Sequence, residues 1–252
     1  MKHIYGLFLL MVLLGTAGAM ADEAVLSPSL NAQPQTAEWA ASWWMPRHEA
    51  KLQEIKDRER IDLVMIGDSI TQGWESANPD NAAWNMQPVW NEFYAHRHAL
   101  NLGFSGDRTE HVLWRLRNGQ LDGLSPKLAI IMIGTNNLSI KRTPDDTAAG
   151  VLAIVEEVRT RLPDTKVLLL GVFPRGEQPD NPVREPIKQI NDTLQQRADG
   201  ETVWYLDVGP KFLNDDGVLP KSIMPDGLHP NAKGYAIWAE AVEPTVAELL
   251  GG

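Results

Sequence analysis

Five short apolar runs set the strongest limit on what this chain can fold into: IDLVMIG (61–67), HALNLGF (98–104), LAIIMIG (128–134), KVLLLGVF (166–173) and TVWYLDV (202–208). A strand with one face in water alternates apolar and polar residues. These runs are apolar almost throughout, so both of their faces need covering. Helical candidates for that cover fall between them at 89–96, 109–118, 144–162 and 182–198, with a last one at 231–250. Strand and helix alternating in this way predict an α/β chain: a five-stranded parallel sheet inside a three-layer α/β/α sandwich. Ahead of the first strand, AEWAASWWMPRHEAKLQEIKDRER (37–60) mixes apolar and charged residues at helical spacing, with Pro46 suited to the first turn of its second half. A length of 252 residues and a hydrophobic fraction of 43% fit one such domain, expected over 37–252.

The first 21 residues have a basic start at Lys2, an apolar stretch from Ile4 to Leu14 and the small-residue pattern Ala19-Met20-Ala21. This reads as an export signal cut after Ala21. Its apolar part falls short of the roughly 20 residues a membrane span needs. The expected location is periplasmic or secreted, with no membrane insertion after cleavage. Residues 22–36 are rich in Ser, Pro, Gln and Ala without periodicity, which suits a flexible lead with order beginning near Ala37. The chain has no cysteine, so a disulfide, a thiol nucleophile and a lipidated cysteine are all excluded. A formal charge of −10 argues against a nucleic-acid partner.

In a sheet of this kind ligands lie beyond the carboxyl ends of the strands. Four segments there are rich in reactive groups: GDSITQG (67–73), GFSGDRT (103–109), GTNNLS (134–139) and MPDGLHPNAKGY (224–235). Ser69 is the candidate nucleophile. A serine needs a neighbouring base, itself oriented by a third group. Asp226 and His229 supply that pair three residues apart, with Pro230 starting the last helix. Acyl transfer also needs donors for the oxyanion, and Gly106, the Asn136 amide and the backbone N–H of Ser69 can provide them. The other histidines, His3, His48, His96, His98 and His111, read as structural or solvated. Candidate substrate contacts are Asp68, Trp74, Asn137 and Arg175. Trp74 opens the tryptophan-bearing stretch WESANPDNAAWNMQPVW (74–90), where core closure competes with substrate contact, and Arg175 also suits a structural ion pair. The chain lacks the glycine-rich phosphate loops, the G-x-S-x-G elbow and the H-E-x-x-H zinc motif. No metal or cofactor is expected.

Taken together, GDSITQG with Ser69, SGD with Gly106, GTNN with Asn136 and DGLHP with Asp226 and His229 resemble the four blocks of the SGNH hydrolases, also called GDSL esterases and lipases. Over roughly residues 61–250 the chain is similar to the catalytic subunits of platelet-activating-factor acetylhydrolase and their bacterial relatives. The resemblance implies a flavodoxin-like hydrolase in which Ser69 attacks an ester carbonyl, His229 moves the proton, Asp226 orients His229, and Ser69, Gly106 and Asn136 hold the oxyanion. It also brings a homodimer into view, since the related subunits dimerise. A short-chain ester is the expected substrate, above all an acetyl group on carbohydrate. Lysophospholipid or thioester hydrolysis stays open, as does a carbohydrate-binding protein that keeps the triad without turnover.

Overall fold

The computed structural model describes residues 27–251. Each apolar run forms a strand: β1 (Leu63–Gly67), β2 (Ala99–Gly103), β3 (Leu128–Met132), β4 (Lys166–Leu170) and β5 (Val203–Leu206). They pair in parallel in the order β2-β1-β3-β4-β5. The α-helices of the described residues are α1 (Trp44–Asp57), α2 (Ser69–Gln72), α3 (Gln87–Phe93), α4 (Thr109–Arg115), α5 (Thr135–Ser139), α6 (Pro144–Arg161), α7 (Arg184–Gln195) and α8 (Ala232–Leu250).

The period-2 geometry of a strand sends successive side chains to opposite faces, and the apolar runs fill both. Val64, Ile66, Leu100, Leu102, Ala129 and Ile131 face one core with Val112 of α4, Val151 and Ile154 of α6, and Ile190 of α7. Leu63, Met65, Leu128, Ile130, Leu168 and Leu170 face the other with Trp238, Val242 and Val246 of α8. This is the expected three-layer sandwich. The chain leaves β1 for β2 on one side and returns across it to β3 on the other, which opens a crevice at the strand ends. Register holds Gly67 level with Gly103 and Met132, so the exits of the three strands share one rim.

Two expectations at the amino-terminal side meet the structure differently. Residues 1–26, which include the expected export signal, lie outside the described residues. Among those described, no helix is long and apolar enough to cross a membrane. Residues 27–36 are not a flexible lead. Ser29 is fully buried, donates its hydroxyl to Asp146, receives Asn137 Nδ2 at 2.9 Å and accepts Thr109 Oγ1 on its carbonyl at 3.2 Å. Gln35 is also buried, 3.2 Å from the ring of His111, and the Gln33 N–H reaches the Glu110 carbonyl. The segment lacks periodicity because its polar groups bond one at a time to α4, α5 and α6.

Removing this segment strips buried partners from Asn137, Thr109 and His111. Unpaired buried polar groups cost about 1–3 kcal/mol each. A chain beginning at Ala37 is therefore expected to be less stable in urea than one beginning at Asp22 by at least about 2 kcal/mol. Equal midpoints and slopes would mean that these contacts add nothing.

Candidate active site

Ser69 is the first residue of α2, a four-residue helix directly after β1. So short a helix has no stability of its own, and tertiary contacts hold it from both sides. The Tyr235 hydroxyl on α8 donates to the Ile70 carbonyl at 2.6 Å. From the β2 side, Asn101 Nδ2 donates to the Thr71 carbonyl at 2.8 Å, and Gln72 Oε1 accepts the Ser105 N–H at 2.7 Å. Gly103 makes this approach feasible, since a Cβ there would lie 2.2 Å from the Gln72 nitrogen. Asp68 caps the helix by accepting the Ile70 N–H at 3.0 Å. Its second carboxylate oxygen is buried without a partner, and burial pushes the carboxyl up to about 7.

The loop before α8 brings an imidazole to this serine across 160 residues of sequence. Ser69 Oγ lies 2.9 Å from His229 Nε2. On the far side of the ring, His229 Nδ1 lies 2.7 Å from Asp226 Oδ2. The other Asp226 oxygen accepts the backbone N–H groups of Leu228 and His229 at 2.9 and 2.7 Å, so the turn holds its own carboxylate. Burial works against the charge, yet the His229 contact and these two N–H groups keep the Asp226 carboxyl below its ordinary range. It therefore remains ionised and able to stabilise a positive imidazole. The helix begins at Ala232, one residue inside the expected 231–250 span: Asn231, not Pro230, sits at its start as the N-cap, accepting the Lys233 and Gly234 N–H groups.

The two remaining donor candidates meet through Asp107, a residue that the sequence reading left without a role. Asn136 Nδ2 donates to the Asp107 carbonyl at 2.9 Å, and the second N–H of the amide has no acceptor among the described residues. Gly106 immediately precedes Asp107 and has φ +71°, a left-handed conformation that favours glycine. The Asp107 carboxylate is fully buried between Arg115 Nε at 2.7 Å and Trp44 Nε1 at 2.6 Å. Arg115 is itself fully buried, stacks 3.9 Å from the Phe104 ring centre and donates to the Leu102 and Gly67 carbonyls at 3.2 and 3.4 Å. One guanidinium thus ties the ends of β1 and β2 to the loop carrying Gly106. The only hint in the sequence is a lone cation in an apolar helical stretch, VLWRL (112–116).

The four substrate-contact candidates fare differently. Trp74 is fully buried, packed between Trp90, Tyr94, Tyr235 and Trp238, so it closes the core and cannot meet a substrate. Asn137 is fully buried as well: its oxygen accepts the Thr109 N–H, and its nitrogen serves Ser29 and Thr109. Asp68 is the buried cap already described. Arg175 alone faces a cleft, which it shares with Asn181, Asp226 and Gly227. It donates to Ser139 Oγ at 2.6 Å and has no carboxylate at ion-pair distance among the described residues, so the structural ion pair is not formed. His48 and His111, read as structural, are both buried.

A parallel sheet in this order, with a hydroxyl, an imidazole and a carboxylate in sequence on its rim, defines a class of ester hydrolase. The chain belongs to the GDSL-like lipase/acylhydrolase family, whose model matches residues 65–237. It is 36% identical over 208 residues to the human platelet-activating factor acetylhydrolase IB subunit alpha1, covering 82% of this chain and 84% of that one. Among solved structures, a GDSL-like lipase from Bacteroides thetaiotaomicron superposes with a TM-score of 0.64 at 20% identity, covering 80% of this chain and 97% of the other. A carbohydrate acetylesterase from Sinorhizobium meliloti superposes with a TM-score of 0.57 at 23% identity, covering 75% of this chain and all of the other. The expected fold and enzyme class both hold.

Arg115→Met leaves Asp107 buried without its counter-charge, and breaking such a pair costs about 3–5 kcal/mol. Urea unfolding is expected to show that loss, and to show it larger at pH 8 than at pH 5, because the unpaired carboxyl is tolerated only when protonated. An equal loss at both pH values would count against a charged pair. Asp68 gives a second test. Its folded pKa of about 7 lies above the ordinary aspartate value. Its contribution to stability is full below the unfolded pKa near 4, declines as pH rises to about 7, and is constant above. Wild type should therefore lose stability relative to Asp68→Asn by at most about 1.4 kcal/mol per pH unit across that window. A flat difference would show that Asp68 does not titrate there.

Proposed function

We propose that the protein is an exported serine esterase that removes short acyl groups, acetyl above all, from carbohydrate. The carrying observation is the pair of contacts through His229, 2.9 Å to Ser69 Oγ and 2.7 Å to Asp226. In this reading His229 Nε2 takes the Ser69 proton as Oγ bonds to the ester carbonyl carbon. The carbonyl oxygen becomes negative and is held by the Ser69 and Gly106 N–H groups and the free N–H of Asn136. Collapse of the tetrahedral species breaks the bond to the alcohol oxygen, which leaves with the proton from His229. Water, deprotonated by His229, then attacks the acyl-serine and releases the acid. Asp226 fixes the ring so that Nδ1 keeps its proton and Nε2 faces the serine.

Two observations support a short acyl group on a large alcohol. The His229 and Asp226 side chains retain 35% and 52% of their exposure, which makes an open rim suited to a group projecting from a polymer. A long acyl chain instead needs an enclosed apolar cavity. The human relative's acetylhydrolase activity and the Sinorhizobium protein's activity on acetylated carbohydrate agree with the choice. Export rests on the signal-like residues 1–21.

Assays with p-nitrophenyl esters of increasing chain length, alongside acetylated xylan, test the reading. Wild type should favour acetyl, and Ser69→Ala should lose on the order of 10⁴-fold or more in kcat. Asp226→Asn should retain substrate binding and lose about 10³- to 10⁴-fold in kcat. Turnover surviving in Ser69→Ala would remove the mechanism. Preference for long chains would remove the acetyl assignment.

A further inference from the structure

We infer that Trp39 and Trp43 form a sugar-binding platform beside the proposed oxyanion site, on which the pyranose ring carrying the ester stacks. The inference rests on the esterase reading above and assigns the part of the site that receives the alcohol. Trp39 is 56% exposed, an unusual position for the largest apolar side chain. Its place is nonetheless fixed. A Cβ built on Gly106 would lie 2.2 Å from Trp39 Cη2, so the indole rests directly on the backbone of the residue proposed to bind the oxyanion. Trp43 lies beside it, with ring centres 6.0 Å apart and planes tilted by 34°, and its Nε1 donates to the Trp39 carbonyl at 3.1 Å. Beneath them Trp44, Phe104 and Trp114 form a small core that anchors Trp43.

The chemistry of the platform selects its occupant. An acyl chain is apolar on every side and gains most from enclosure, which an open indole face does not provide. A pyranose has an apolar face of C–H groups and hydroxyls around its edge, so it can cover an indole while its rim stays in water. A phospholipid surface is disfavoured as well, because anionic headgroups would meet a chain of net charge −10. The nearness of Trp39 to Gly106 puts the platform next to the reacting carbonyl. A ring stacked there presents its ester to Ser69.

The test compares acetylated xylo-oligosaccharide with p-nitrophenyl acetate as substrates for Trp39→Ala and Trp39→Phe. For the alanine variant, the ratio of kcat/KM on the oligosaccharide to kcat/KM on the small ester is expected to fall about tenfold, mainly through KM. The phenylalanine variant should recover most of that ratio. Calorimetric titration of the oligosaccharide into Ser69→Ala, with and without Trp39→Ala, should show binding weakened by a similar factor. Equal losses on both substrates would mean that Trp39 only props Gly106, and equal binding by the two proteins would overturn the platform while leaving the esterase intact. A wild type that cleaves p-nitrophenyl acetate but neither cleaves nor binds the oligosaccharide would overturn the carbohydrate assignment and the platform together. Failure of both substrates would refute the esterase itself.

Discussion

The buried ion pair between Asp107 and Arg115 is the constraint on which the rim depends. Burying two charges is costly, and only a full set of hydrogen bonds makes it tolerable. Here the set is nearly complete: the carboxylate bonds to Arg115 and Trp44, and the guanidinium reaches Gly67, Leu102, Gln120 and Asp107. A hydrophobic pair could fill the same volume. It could not tie two strand ends, a glycine loop and the Asn136 amide into one rigid unit. The pair therefore gives geometric definition more than stability, and the groups it defines are the proposed oxyanion donors.

The His229 turn reaches the same rim by a different route. Asp226 takes two N–H groups from its own turn and the Nδ1 side of the imidazole, so ring and carboxylate are set within four residues. The proposed donors, themselves half-buried, are held by the fully buried Asp107–Arg115 pair, whereas the proposed base is held by local hydrogen bonding near the surface. This division suits the proposed chemistry: preorganised donors act on a developing charge without reorienting, and a proton carrier needs access to water for the second half of the proposed reaction.

The sheet was legible in the sequence because near-continuous apolar runs have few other uses, and all five became strands. Ser69 was legible because a hydroxyl at a strand exit stands out, and Asp226 and His229 because a carboxylate three residues before a histidine stands out in the loop ahead of the last helix; the structure brings the three together. The helices α2 and α5 were not legible, since four or five residues are too few for a helical period to appear. Trp74 stayed open between core closure and substrate contact because its buried neighbours Tyr235 and Trp238 lie some 160 positions away, and local sequence records nothing of that contact. Asn137 shared its motif with Asn136, yet neighbouring positions on α5 point one inward to Ser29 and the other to the Asp107 loop. Residues 27–36 lack periodicity because single polar bonds, and not a repeating apolar face, fasten them.

The helix carrying Ser69 spans a single turn, clasped by Tyr235 from one layer of the sandwich, by Asn101 from the edge strand, and by the Ser105 N–H beyond that strand, which the helix's own Gln72 accepts. It has no independent means of persisting once either layer loosens. The Ser69 hydroxyl is in effect a reporter of the whole assembly: it holds its place only while the sheet and both of its coats remain together. Partial melting that preserved much of the helical content would already leave the Ser69 hydroxyl without its partner imidazole, so this contact and cooperative tertiary order disappear as one event.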